Sequence, residues 1–231
     1  MGLLSRPGIL DLSMTIHSND PARAKGTIRS RLLAARRACA PEQRAAWSIA
    51  ACEAMLGQIG AADVVAAYAS FGTEPDTGPL LASLCARGIR VLLPILENDM
   101  DLSWGWYSGP DSLVRRIPPG ATRPSPIPEP GESLGVDAVL SASWIVVPAL
   151  AVSPRGLRIG RGGGSYDRVL ARIEASPRPA RPRVAALLYP GDLDVDLPVE
   201  PHDRPVDIAV AGETVRHFHH CGESPGGVLC L

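Results

Sequence analysis

Ser143-Trp-Ile-Val-Val-Pro-Ala-Leu-Ala-Val152 is a strongly apolar run, and it leads into Arg155-Gly-Leu-Arg-Ile-Gly-Arg-Gly-Gly-Gly-Ser-Tyr-Asp-Arg-Val-Leu170. The first stretch predicts a buried strand, and residues 166–173 predict a helix. Between them, Gly160, Gly162, Gly163 and Gly164 free the backbone to curl and to bring its N–H groups close to a ligand. A helix starting directly afterwards adds unpaired N–H groups and the positive end of its dipole. Arg158, Arg161 and Arg168 place fixed positive charge around that point, with Asp167 the anion among them. A loop of this build suits a polyphosphate, leaving the aspartate to hold its metal. Glycines alone favour a tight strand-to-helix turn edged by solvated arginines, and it is the arginines and the embedded Tyr-Asp that shift the balance toward a site.

Working outward, residues 63–69 and 89–94 predict strands and 79–86 a helix between them. Such strand–helix–strand alternation makes a parallel sheet whose ligands sit at the carboxyl ends of the strands. Glu74 falls in a loop of that kind, as a ligand contact or as an ordinary solvated or capping carboxylate. Residues 102–107, 183–189 and 206–211 predict further strands; in the first, Trp104 and Trp106 share a side, a pattern that favours core packing over a pocket wall. Residues 110–130 read as a long irregular excursion and 192–203 as an acidic loop. Asp20-Pro21 reads as a cap and first turn of an N-terminal helix with Ile28, Leu32 and Ala35 on one face and Arg29, Arg36 and Arg37 elsewhere. A second helix opens at Pro41-Glu42 and carries Cys52, Met55 and Ile59 at helical spacing.

The expected fold is therefore a single-domain, three-layer α/β/α structure with a mostly parallel sheet, two N-terminal helices and irregular loops. The domain is expected over 20–213, with flexible extensions at 1–19 and 214–231. The tail holds Arg216-His-Phe-His-His-Cys221 and Cys230, whose residue types suit zinc but whose spacing matches no standard site; a frayed terminus is the simpler reading.

Composition narrows the classes of function. The formal net charge of -1 gives no reason to expect a nucleic-acid or membrane surface. No apolar run reaches the length of a membrane span, and the N-terminus lacks the features of a signal peptide. The 5 cysteines, odd in number and scattered, do not form a disulfide framework, so a reducing cytoplasm is expected. All but one of the 23 basic residues are arginine; the exception is Lys25. A lysine in such a chain points to a place where a compact ammonium serves and a planar guanidinium does not.

From about Lys25 to Ala211 the chain resembles the 5-formyltetrahydrofolate cyclo-ligase (5,10-methenyltetrahydrofolate synthetase) family. The strongest match is Pro148-Ala-Leu-Ala-Val152 followed by Arg158-Ile-Gly-Arg-Gly-Gly-Gly-Ser-Tyr-Asp167. Supporting matches are Lys25 with Arg29, Glu74 with Thr77, Pro94, Met100-Asp101, Glu129-Pro130, and Pro198 through Asp203 with Asp207.

The resemblance implies an enzyme that uses ATP to cyclise 5-formyltetrahydrofolate to 5,10-methenyltetrahydrofolate through a phosphorylated formyl group, giving ADP and phosphate. It implies Lys25 and Arg29 on the ATP phosphates, with Arg158, Ile159, Gly160, Arg161, Gly162, Gly163, Gly164, Ser165 and Tyr166 wrapping the nucleotide. Arg158, Arg161 and Tyr166 would be catalytic. Glu74, Ala69, Met100, Trp104, Arg161 and Gly164 would contact the folate, with or without a polyglutamate tail. Asp167 and Asp203 would hold Mg²⁺. A monomer is expected. Two departures stand out: Ser165 replaces the first of two consecutive aromatics, and Gly163 replaces a lysine found in some members. Ser165 keeps open a second reading, a folate- or nucleotide-binding paralogue with weakened catalysis. An unrelated α/β phosphate-binding enzyme is a third, but it leaves Lys25, Glu74 and Asp203 without a shared role.

Overall fold

Why these residues make a parallel sheet is plain from their burial. The computed structural model describes residues 21–117, 122–177, 181–200 and 203–219. Its helices are α1 (Pro21–Ala38), α2 (Pro41–Ile59), α3 (Gly78–Ala86) and α4 (Ser165–Ala175). Its strands are β1 (Val64–Ala66), β2 (Arg90–Leu96), β3 (Leu102–Tyr107), β4 (Leu113–Val114), β5 (Glu129–Pro130), β6 (Trp144–Pro148), β7 (Ala151–Val152), β8 (Arg158–Ile159), β9 (Arg183–Leu188), β10 (Ile208–Ala211) and β11 (Thr214–His217). Seven strands form one sheet in the order β11-β10-β9-β6-β1-β2-β3. The five inner strands are parallel, and β3 and β11 run antiparallel at the two edges.

Alternate residues of each inner strand enter opposite cores. Val65, Val91, Val146, Leu187 and Val210 pack with Met55 and Ile59 of α2 and Leu80 and Leu84 of α3. Val64, Leu92, Ile145, Val147, Ala186 and Ala209 pack with Val169, Leu170 and Ile173 of α4. Both faces being covered, the strands read as continuous apolar runs with no polar alternation. The expected three layers are present. α1 stands apart from them: its Leu32 packs in a third, small core with Leu150, Ala151, Ile159, Val195 and Leu197, over the β7–β8 hairpin.

Four sequence readings change. On α1 the buried residues are Ala24, Lys25, Leu32 and Arg36, whereas Ala35 is exposed. A guanidinium thus occupies the inner face that apolar periodicity gives to alanine. The residues from Thr214 do not begin a loose tail, since β11 pairs with β10 along its whole length and Phe218 packs against the second core. The 110–130 excursion contains the antiparallel pair β4–β5. Trp104 is fully buried but Trp106 is partly exposed beneath Arg90, so the two do not share one environment. The expected extension at 1–19, the Asp20 cap and Cys221 with Cys230 lie outside the described residues. Among the described residues, no helix is long and apolar enough to cross a membrane.

Candidate active site

The strand order turns back at one point. From β1 the chain moves outward to β2, and it later returns to the other side of β1 with β6. The loops leaving β1 and β6 in opposite directions open a crevice at their carboxyl ends, the usual ligand position in open α/β sheets. A cavity of about 410 Å³ lies there. Its wall is built from the segment after β1 (Tyr68, Ala69, Glu74), from β2 and the turn beyond it (Leu93, Pro94, Leu96, Met100), and from the chain between β6 and α4. α1 contributes Lys25 and Arg29, and the far loop Glu200 and Asp203.

The glycine loop takes its shape from two positive φ angles, 99° at Gly162 and 72° at Gly164. Side chains rarely adopt either value. A Cβ on Gly162 would also stand 3.3 Å from the Arg29 guanidinium carbon. Gly164 is the N-cap of α4, and no side chain caps the helix there. Apart from the Asp167 N–H, which donates to the Gly164 carbonyl at 3.1 Å, its first-turn N–H groups therefore keep their capacity for a ligand at the positive end of the dipole. Arg29 braces the loop from α1, its Nε donating to the Gly160 carbonyl at 2.9 Å.

The other charges are arranged as ion pairs. Lys25, 5% exposed, donates through Nζ to both Asp203 oxygens at 2.7 Å and lies 2.6 Å from Glu200 Oε2. Arg158 donates through Nη2 to Asp167 Oδ1 at 2.6 Å, and its buried Nε has no partner among the described residues. Arg161 reaches across the crevice to Glu74, Nε to Oε1 at 3.0 Å, and its guanidinium lies 6.0 Å from the Phe71 ring centre. Glu74 is further held by the Phe71 N–H at 2.8 Å, and Tyr189 donates to its backbone carbonyl at 3.0 Å.

Tyr166 sits in the first turn of α4 with its hydroxyl buried and unpartnered among the described residues. Burial, and then the carboxylate of Glu74, hold its phenol far above the ordinary value. In its protonated form the hydroxyl can donate a hydrogen bond to a ligand. Met100, at φ 67°, presents its carbonyl to Arg168 at 3.2 Å, and its Cε would lie 3.3 Å from a Cβ on Gly163. The glycine at that position thus makes room for methionine.

Of the site residues read from the sequence, the cavity wall gathers all but one. Trp104 is the exception: it is completely buried in the core of the α4 face and lines no part of the cavity. Its indole belongs to the same buried cluster as Leu92 and Ile145. Several members of the wall have no distinguishing mark in the sequence. Tyr68 is hidden inside a strand-like run. Glu200 reads locally as one more acid in an acidic loop. Leu96, Ile127 and Pro128 carry no chemical signature at all. Glu129, legible only within a supporting match, is 7% exposed on the wall, and burial raises its carboxyl pKa.

Behind the wall, Arg36 donates to Asp192 Oδ2 from Nε and Nη2 at 3.0 and 2.8 Å. It also donates from Nη2 to the carbonyls of Ala149 and Leu150 at 2.9 and 3.1 Å. That pair ties α1 to the backbone just beyond β6, and sequence periodicity does not reveal it.

Among the described residues, no three His, Cys, Asp or Glu side chains converge tightly enough to cage a metal by themselves. The donor chemistry nevertheless suits a hard cation of the Mg²⁺ type, which needs only one or two carboxylates and takes its other ligands from phosphate and water. Asp167 and Asp203 both face the cavity. Because Arg158 and Lys25 are already matched by carboxylates, an entering polyphosphate would need a counterion of its own.

The whole arrangement can hold a phosphate chain on the glycine loop and a polar heterocycle beside Glu74. Comparison with known proteins agrees. The chain is 36% identical over 190 residues to the 5-formyltetrahydrofolate cyclo-ligase of Mycolicibacterium smegmatis, covering 78% of this chain and 90% of that one. It is 30% identical over 188 residues to the enzyme of the same name from Escherichia coli K12, covering 78% and 96%. The structure superposes on the 5,10-methenyltetrahydrofolate synthetase of Aquifex aeolicus with a TM-score of 0.71 and 25% identity, over 88% of this chain and 96% of that one. A synthetase from Mycoplasma pneumoniae shares the fold at a TM-score of 0.60 and 15% identity, over 80% and 97%. The model of the 5-formyltetrahydrofolate cyclo-ligase family matches residues 21–212, and this chain belongs to that family.

Proposed function

We propose that the protein catalyses the ATP- and Mg²⁺-dependent cyclisation of 5-formyltetrahydrofolate, with or without a polyglutamate tail, to 5,10-methenyltetrahydrofolate as a cytoplasmic monomer. The formamide oxygen attacks the γ-phosphorus and ADP leaves. N10 of the folate then attacks the activated formyl carbon and gives up its proton to phosphate or water, and the C–O bond to phosphate breaks as the methenyl bridge closes. An amide oxygen leaves poorly until it is phosphorylated, which is why the reaction consumes a nucleotide. Little covalent work falls to the protein, so catalysis is positioning and charge stabilisation.

In this reading the N–H groups of Gly160–Ser165 and the start of α4 hold the phosphates, with Ile159 beneath them. Lys25 and Arg29 approach from α1. Arg158 and Arg161 neutralise charge on the phosphoryl group in flight, and the protonated Tyr166 donates to its oxygens. Glu74 and Ala69 orient the folate, and Met100 and Gly164 flank it. Asp167 and Asp203 would hold the metal, which supplies charge neutralisation between phosphates when bound. Lys25 must exchange a carboxylate for a phosphate as the nucleotide enters.

The observation that carries the reading is the meeting of Lys25, Arg29, Glu74, Asp167, Asp203 and the glycine loop on one cavity. The test is spectrophotometric. Purified protein with Mg²⁺, ATP and 5-formyltetrahydrofolate should raise the methenyl absorbance. Lys25→Met and Asp167→Asn should each lower kcat/KM by roughly a hundredfold or more. Folate or nucleotide binding with no ATP-dependent product would instead identify a non-catalytic paralogue, the outcome that Ser165 leaves open.

A further inference from the structure

Tyr68 lies just past the end of β1, on the cavity wall, with 3% of its surface exposed. Its hydroxyl is buried and has no hydrogen-bond partner among the described residues. An orphaned buried hydroxyl is destabilising, and phenylalanine would fill the same core volume without that cost. The residue is also held still. The fully buried Thr77 donates from Oγ1 to the Tyr68 carbonyl at 2.7 Å and accepts from the Ser70 N–H at 3.1 Å, which fixes the backbone there, and the ring is packed among the buried residues of the first core. A rigid, unsatisfied donor on the wall of a cavity is a group waiting for an acceptor.

The neighbours say which kind of acceptor. Tyr68, Glu74 and Tyr166 line the same cavity, and the Tyr166 hydroxyl is also unpartnered among the described residues. Burial, reinforced by Glu74, keeps the Tyr68 phenol protonated. A carboxylate accepts only, and a protonated phenol beside it can donate. Together they complement a cyclic amide edge, in which N–H donors stand next to a carbonyl oxygen. The pteridine ring of a reduced folate presents such an edge.

Building on the cyclo-ligase reading, we propose that Tyr68 is a specificity-determining residue whose hydroxyl donates a hydrogen bond to the pteridine ring oxygen while Glu74 accepts from the adjacent ring N–H groups. A ligand carrying an amino group in place of that oxygen presents a donor to the phenol and turns the adjacent ring N–H into an acceptor facing Glu74, so both groups lose their complement. The site should therefore favour the oxo form.

The test compares wild type with Tyr68→Phe in three measurements: steady-state kinetics, thermal unfolding, and binding of a 4-amino analogue of the folate. The expected result is a rise of roughly tenfold in KM for 5-formyltetrahydrofolate, with KM for ATP unchanged. The melting temperature should hold or rise, because the hydroxyl has no partner to lose. Preference for the oxo over the amino ligand should be clear in wild type and markedly smaller in the variant, where only Glu74 still discriminates. An unchanged folate KM, equal binding of both ligands by wild type, or a lowered melting temperature with folate and ATP affected alike would each overturn the proposal. Failure of the cyclo-ligase reading is distinguishable, since wild type itself would then give no methenyl product.

Discussion

α1 and α2 are consecutive helices of 18 and 19 residues that bury opposite chemistries. α2 turns Ala51, Cys52, Met55 and Ile59 onto the sheet, and its role is complete when that face is covered. α1 turns inward Lys25 and Arg36 with Leu32 between them, and aims Arg29 at the glycine loop. The first helix is bound to the rest by charge because it closes a site; the second is bound by hydrophobic burial because it closes a core. Adjacent segments of similar length can thus obey different rules, and apolar periodicity detects only one of them.

The contrast breaks most sharply at Arg36. Arg36→Met should cost about 3–5 kcal/mol, because it strands Asp192 as a buried charge. Urea unfolding measures this, and Arg36→Met with Asp192→Leu should recover most of it. A loss below about 1 kcal/mol in the single variant would mean that α1 is not held by this pair. On α2, Met55→Ala should cost about 2–5 kcal/mol by opening a cavity in a fully buried position. Its kcat per folded molecule should not change, which separates the core helix from the site helix.

The smallest effect lies on α4, where Arg172 donates from Nη2 to Asp101 Oδ2 at 2.6 Å, with both side chains partly exposed. The Arg172 hydrogen bond holds the Asp101 carboxyl below its ordinary value of 3.8. A depressed folded-state pKa stabilises the fold above pH 3.8 and stops doing so as pH falls through the folded value. Asp101→Asn should therefore cost at most about 1 kcal/mol near neutrality, and the melting difference from wild type should shrink below pH 3.8. A difference that persists at lower pH would assign the effect to packing instead of charge.

Much of the molecule is legible in the amino-acid sequence. The strands announce themselves because a parallel sheet covered on both faces needs nothing but apolar residues. The glycine loop announces itself because positive φ and close backbone approach leave little choice of residue at Gly162 and Gly164. Lys25 stands out through composition alone. Arg36 does not, because a buried guanidinium looks like a surface arginine until Asp192, 156 positions away, is brought beside it. Trp104 misleads in the opposite way, since an aromatic on a strand near the site gives no sign of which sheet face it will occupy. Thr214–His217 reads as tail because an edge strand with exposed side chains has no apolar signature.

What the sequence by itself determined are the features governed by local chemistry: strand type, helix spans, the glycine turn, and the residues that resemble a cyclo-ligase. Only the tertiary structure decided which of those residues share a cavity, which carboxylate neutralises which cation, and which hydroxyl is left without a partner. The physical reason is range. Backbone preference and periodicity act over a few residues, whereas ion pairing and burial depend on which distant segments the sheet order brings together at the ends of β1 and β6.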